Sequence, residues 1–180
     1  PFTHSQCLGQ GGNMAITDIH KYTVQEKLNK MDVDLIDVDL LTDTAAIADN
    51  QIISDYVEIP NAVSVGGGSC ILQSITLLDD GDQGAAMDLV FATADTDLGV
   101  LNEVVSDDDA GAGGILGFVS LSNYFDGVAW QVATKNNIGL VLKAAAGSTS
   151  IYVAAVNRSG GNVDYVATDD LHLRVGVVKD

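Results

Sequence analysis

SCILQSITLLDDGDQGAAMDLVFATA, residues 69–94, contains two apolar segments on either side of a short run of aspartate and glycine. Ile75 and Leu77 are two positions apart before this run, and Leu89 and Phe91 are two positions apart after it. A side-chain period of two is typical of half-buried strands. Asp-Gly followed by Gln-Gly supplies residues that tolerate turn geometry. We therefore predict two paired strands joined as a hairpin.

The same acidic run could instead hold calcium or form a catalytic carboxylate cluster. A calcium loop of the EF-hand kind needs oxygen ligands at its first, third and fifth positions and glycine at its sixth. Counted from Asp80, the fifth position is Gly84 and the sixth is Ala85. The pattern fails at both points, so we predict a turn, no metal and no cofactor. The second acidic run, residues 106–109, is predicted to be a solvated loop.

Similar apolar runs recur from residue 49 to the end of the chain, separated by glycine-, aspartate- and asparagine-rich segments. Eight or so short strands at this spacing indicate an all-β protein, an antiparallel β-sandwich of jelly-roll type over residues 49–180. Residues 138–146, IGLVLKAAA, also suit a helix, because alanine and leucine favour helices. The strand-like SIYVAAVN at 150–157 favours a hairpin between these two segments instead. The alternation predicts this core: Ile75, Leu77, Leu89, Phe91, Val119, Trp130, Val132, Leu140, Leu142, Tyr152, Val153, Leu173 and Val175.

Residues 1–48 differ from the rest and are predicted to be an extended N-terminal arm. Thr23 and Glu26 fit a capping box, and an apolar stripe follows at helical spacing, so we expect one short helix at 23–31. MDVDLIDVDL, residues 31–40, then alternates acids with aliphatics, as an extended segment would. The expected partner-binding residues of the arm are its apolar anchors: Phe2, Leu8, Ile16, Ile19, Tyr22, Val24, Leu28 and Met31.

The charge is strongly negative and unevenly distributed. The net charge is −17, and residues 31–134 contain no lysine or arginine. Binding to nucleic acid or to an anionic membrane surface needs those cations, so neither is expected. No stretch approaches the roughly 20 apolar residues of a membrane span, and no signal peptide opens the chain, so we expect an intracellular site of synthesis. A second interpretation of the first residues is that Met14 is the initiation site, which would make residues 1–13 an upstream extension.

The residue types that most often carry chemistry are few and scattered. Cys7 and Cys70 lack metal-site spacing, and Cys70 is expected to pack as a small hydrophobe. His4 and His20 lie in the arm, and His172 is expected on the surface beside Arg174 in the final strand. We find no nucleophile–base motif and no phosphate-binding loop, and we predict that the chain is not an enzyme.

Three segments carry a family resemblance: residues 75–99, 150–160 and 168–180. Together they resemble small head proteins of tailed bacteriophages, of the capsid-decoration or cement type. The likeness spans roughly residues 50–180, and DLHLRVGV at 170–177 is its most specific part. It implies a β-sandwich on the outer surface of the virion, with an arm that reaches neighbouring subunits. The implied partners are the major capsid protein and further copies of the chain, in a dimer or trimer.

A different function remains open, that of a carbohydrate- or surface-binding sandwich in a phage fibre or an adhesin. Sugar sites commonly use exposed aromatic rings as stacking platforms. Tyr124 and Phe125, in NYFDG, are the only adjacent aromatics and therefore the candidate glycan contacts. Trp130 alternates with Val128 and Val132, so it is expected to point into the core instead.

Overall fold

The computed structural model describes residues 32–95, 98–106 and 114–179, and these form strands without helices. No helix within these ranges is long and apolar enough to cross a bilayer. The described strands are β1 Asp32–Leu40, β2 Ile52–Ile59, β3 Ser69–Asp79, β4 Met87–Ala92, β5 Ile115–Leu121, β6 Tyr124–Asp126, β7 Gln131–Lys143, β8 Ile151–Asn157 and β9 Leu171–Lys179.

The strands form two antiparallel sheets. The five-stranded sheet has the order β1-β9-β3-β7-β6, and the four-stranded sheet has the order β2-β8-β4-β5. Apart from the short β6, this is the jelly-roll arrangement, in which the first and last strands lie side by side and the chain passes repeatedly between the sheets. The predicted all-β antiparallel sandwich of jelly-roll type is confirmed.

The core lies between the two sheets. Most of it consists of the side chains that point inward at alternate positions along the strands. Phe91, Leu77 and Tyr165 are among the largest fully buried side chains. Cys70 is buried in the same cluster, as expected. Of the predicted core, nine residues are buried: Ile75, Leu77, Leu89, Phe91, Val119, Leu142, Val153, Leu173 and Val175.

Four predicted core residues are less buried than expected. Leu140 is partly buried against the core, and Val132 and Tyr152 are half-buried. Trp130 is 39% exposed, so its placement in the core was wrong. Side chains at the start of β7 do alternate between the two faces of the sheet, but Ala133 is the one that faces the core, and Val132 faces outward. Alternation alone does not say which set of side chains faces inward when both sets are apolar.

The N-terminal boundary of the sandwich differs from the prediction. The compact unit begins at Asp32, not at residue 49. β1 pairs with β9 along its whole length, and its inward residues Val38 and Leu40 are buried. The extended conformation predicted for residues 31–40 is therefore confirmed over Asp32–Leu40, but this segment is an edge strand of the sandwich and not part of an arm.

The two hairpins predicted from the sequence were wrong, because the strands of each one do not pair with each other. β3 lies in the five-stranded sheet and β4 in the four-stranded sheet, and the same holds for β7 and β8. Turn residues show where the chain reverses, but the two strands can then lie side by side or face each other across the core. One asparagine-rich segment that was expected to separate two strands, residues 135–137, lies inside β7 instead. Asn137 and Gly139 have positive φ there, and the register with β3 shifts. These residues form a bulge.

Candidate functional site

The predicted arm anchors, Phe2, Leu8, Ile16, Ile19, Tyr22, Val24, Leu28 and Met31, lie outside the described residues, as do the helix predicted at 23–31, His4, His20, Cys7 and the aspartates at 107–109. The other predicted site residues, Tyr124 and Phe125, lie in the short strand β6.

Tyr124 and Phe125 point to opposite sides of the five-stranded sheet. The Tyr124 hydroxyl donates a hydrogen bond to the carbonyl oxygen of Ala85 at 2.7 Å, and its ring packs against the core. Phe125 is 68% exposed, and its ring centroid lies 6.0 Å from that of Trp130. The exposed aromatic pair is therefore Phe125–Trp130 and not Tyr124–Phe125.

The hairpin tip between β6 and β7 is strained as well as apolar. Val128 has a φ of 78° and is 92% exposed. Positive φ is an outlier for a β-branched residue and costs of the order of 1–3 kcal/mol. The turn holds this conformation through hydrogen bonds from Gly127 N to Trp130 O and from Val128 N to the Asp126 carboxylate. Phe125, Val128 and Trp130 together form what we call the aromatic tip.

DDGDQG, residues 79–84, forms a turn around the buried carboxylate of its own first residue. Asp79, the last residue of β3, is fully buried, and its Oδ2 accepts hydrogen bonds from Gln83 N at 3.1 Å and Gly84 N at 2.7 Å. Asp82 and Gly84 adopt the left-handed backbone conformation. Asp79 therefore organises the turn, and no cluster of three potential metal-ligating side chains occurs within the described ranges.

Burial raises the pKa of Asp79, and the nearby charge of Asp170 adds to the effect. Burial, with the charge of Asp79, also raises the pKa of Tyr124 and Tyr165. These hydroxyls are therefore neutral at physiological pH. The cluster lies under the turn, away from solvent, and its evident role is to hold the β3–β4 connection.

We expect the Asp79 carboxyl to make stability depend on pH. Because its pKa is higher in the folded state, the folded chain binds the proton more tightly, and stability falls as pH rises from about 4 through the raised pKa. Asp79→Asn keeps an oxygen acceptor for the two amides and removes this dependence, so at pH 7 it should be at least as stable as wild type. Asp79→Ala leaves both amides without an acceptor and should cost about 1–3 kcal/mol. Urea unfolding of the three proteins at pH 4, 5.5 and 7 measures this; an equal loss in both variants would contradict it.

A set of charged pairs joins β1 to β9. The pairs, with their N–O distances, are Asp34–Lys179 at 2.8 Å, Asp37–Arg174 at 2.6 Å and Asp39–His172 at 2.7 Å. His172 and Arg174 lie on the outer face, as predicted, and the hydrogen bond to Asp39 raises the pKa of His172. These pairs were not predicted, because the aspartates of β1 were assigned to the arm.

Comparison of the sequence with models of known protein families and with curated proteins finds no match.

Proposed function

We propose that the chain is a structural protein of a tailed-bacteriophage head, which decorates and stabilises the capsid shell. Its function would then lie in interfaces and not in a reaction. The observation that carries the proposal is a jelly roll that begins directly at Asp32, preceded by 31 residues with spaced apolar anchors. Jelly rolls are frequent in viral capsids, although the fold alone does not determine function.

The charge supports a position outside the shell. A shell filled with DNA is an anionic object, and a chain with a net charge of −17 is repelled from nucleic acid. The partners we propose are the major capsid protein and neighbouring copies of the chain, on the outer capsid surface after synthesis in the host cytoplasm.

Residues 1–31 supply the proposed attachment. Each large apolar side chain contributes roughly 1.5–3 kcal/mol when buried, whereas ordering a residue's backbone costs about 1–2 kcal/mol. A few anchors spread over 31 residues do not offset that cost in solution. They can do so in preformed pockets of a neighbouring subunit, where binding and ordering occur together.

The test uses shells of the phage that encodes the chain, purified without it. Full-length protein should bind at a saturating copy number, and Leu28→Asp with Met31→Asp should weaken binding at least about tenfold, since each charge must enter an apolar pocket. The matched control, Asn29→Ala with Lys30→Ala, changes the side of the predicted helix that faces away from the apolar stripe and should bind like wild type. Equal binding by all three proteins would exclude the arm as the attachment, and no binding by wild type would exclude the decoration role.

The aromatic tip favours a second candidate function, binding of a carbohydrate in a phage fibre or adhesin. Phe125 and Trp130 present an exposed ring pair, and the carboxylate of Asp126 lies between them along the chain. Aromatic faces with adjacent polar groups suit the apolar faces and hydroxyls of sugars. Val128 has a strained backbone conformation, and such conformations are more common at functional sites than elsewhere.

A glycan array separates this candidate from the first. Wild type should show saturable binding that is lost in Phe125→Ala with Trp130→Ala. Tyr124→Phe, which removes only the buried hydroxyl contact with Ala85, should bind like wild type. The carbohydrate function is wrong if wild type binds no glycan or if the double variant binds equally well.

A further inference from the structure

Within the described part of the chain, the outer face of the five-stranded sheet carries a row of exposed aliphatic side chains. Val33 on β1 lies opposite Val178 on β9, which lies opposite Ile71 on β3, and Ile71 in turn lies opposite Val141 on β7. Val33 is 71% exposed and Val141 61%. Leu35, also exposed, extends the row over Gly176. We call these five side chains, Val33, Leu35, Ile71, Val141 and Val178, the aliphatic patch.

This face is nearly neutral, although the whole chain has a net charge of −17. In the rows beside the patch, Arg174 is held by Asp37 and His172 by Asp39. Lys143 follows Val141 by two positions on the same strand and so shares its side of the sheet. Two copies of the chain would repel each other through most surfaces, because those surfaces carry the excess acid. When two outer faces meet, the pairing of Arg174 with Asp37, and of His172 with Asp39 and Asp80, reduces that repulsion.

The size of the face suits a pair of copies. β1 and β9 each have nine residues, β3 has 11 and β7 has 13. At about 4.8 Å between strands and about 3.3 Å per residue, four such strands offer roughly 600 Å². Two faces then bury about 1,200 Å², the lower end of the range for stable interfaces.

We propose that two copies of the chain pack outer face to outer face through their five-stranded sheets, with the aliphatic patch as the centre of the contact. An identical patch on both copies gives a twofold, self-complementary interface. Val33 and Val141 lie at opposite ends of the row, on β1 and β7. A twofold axis that lies between the two faces, parallel to the strands and over the middle of the row, sets Val33 of one copy near Val141 of the other. The proposal names the self-contact expected of a capsid-decorating protein, but dimerisation of the isolated chain requires no shell, so either proposal can fail while the other stands.

The test is sedimentation equilibrium of the full-length chain across the micromolar range. Wild type should be a dimer. Val33→Asp with Val141→Asp brings like charges together at the interface and should raise the dissociation constant roughly a hundredfold or more. Phe118→Asp, an exposed apolar residue on the other sheet, is the matched control and should remain dimeric.

A second variant guards against misfolding. Val33→Thr with Val141→Thr keeps side-chain shape and strand preference, so it should fold like wild type and weaken the dimer about tenfold. The proposal is overturned if wild type is monomeric throughout the range, or if folded variants of the patch dimerise as tightly as wild type.

Discussion

A chain that begins at residue 49 should fail to fold, whereas a chain that begins at Asp32 should fold like the intact protein. The difference is β1 and the segment behind it. β1 pairs with β9 from Asp32 to Leu40, and Ile47 forms a further bridge to Val163. Removing this segment exposes the edge of β9 and opens one side of the core.

The expected loss is comparable to the stability of a whole domain. Val38, Leu40 and Ile47 are all buried, and burying each such side chain contributes roughly 1.5–3 kcal/mol. Their removal costs about 5 kcal/mol or more, against a total stability of about 5–15 kcal/mol for a typical domain. Lys179, which is buried, would also lose the carboxylate of Asp34.

Circular dichroism and thermal unfolding of residues 32–180 and 49–180 would measure the effect. The longer chain should give a β spectrum and one cooperative transition. The shorter chain should lack the transition or aggregate, because β9 would present an unpaired apolar edge. A cooperative transition of residues 49–180 within a few degrees of the longer chain would show that β1 is dispensable.

The architecture was predictable from the sequence because most strands are marked locally. Apolar alternation and turn residues located seven of the nine described strands without any knowledge of their partners. β1 was misassigned because alternating aspartates resemble an acidic arm when the partner strand is unknown, and Asp39 and His172 are 133 positions apart. One signal was present: Asp37 and Asp39 have the same two-residue spacing as His172 and Arg174, which an antiparallel pair brings together.

The candidate site was less predictable than the fold. Phe125 was identified as an exposed aromatic, but its partner is Trp130, the last residue of the turn before β7. Both residues face outward because the inward positions of this hairpin are taken by Tyr124 and Ala133, which lie opposite each other. Which side chains of this hairpin face inward depends on how the hairpin packs against the rest of the core, and the local sequence pattern does not show this.

Asn157→Asp should be among the most destabilising single substitutions in the described part of the chain. Asn157 ends β8 and is fully buried. Its Nδ2 donates hydrogen bonds to the carbonyl oxygens of Ile47 and Gly161, both at 3.0 Å, and its Oδ1 accepts one from Ser159 N at 2.9 Å. One side chain therefore joins β8 to the segment after β1 and to the turn after β8.

Aspartate has the same shape as asparagine but reverses the chemistry at Nδ2. A buried carboxylate oxygen would face two carbonyl oxygens, which lose their donor and repel the charge. We expect a loss of about 3 kcal/mol or more at pH 7.5, since buried polar groups are left unsatisfied and a charge is desolvated. Desolvation raises the folded-state pKa of the new carboxyl, so the variant should recover part of its stability as pH falls and the protonated group donates again.

Urea unfolding at pH 7.5 and pH 5 would test both parts of this expectation. Asn136→Asp adds the same charge at an exposed position of β7 and should change stability little at either pH. If the two variants lost equal stability, the effect would come from net charge and not from the hydrogen bonds of Asn157. If Asn157→Asp lost its stability but did not recover at pH 5, the lost donors would account for the change and the buried charge would not. The segment from Ile47 to Asn50 also leads directly into β2, so the same side chain fixes how the chain passes from the five-stranded sheet to the four-stranded sheet.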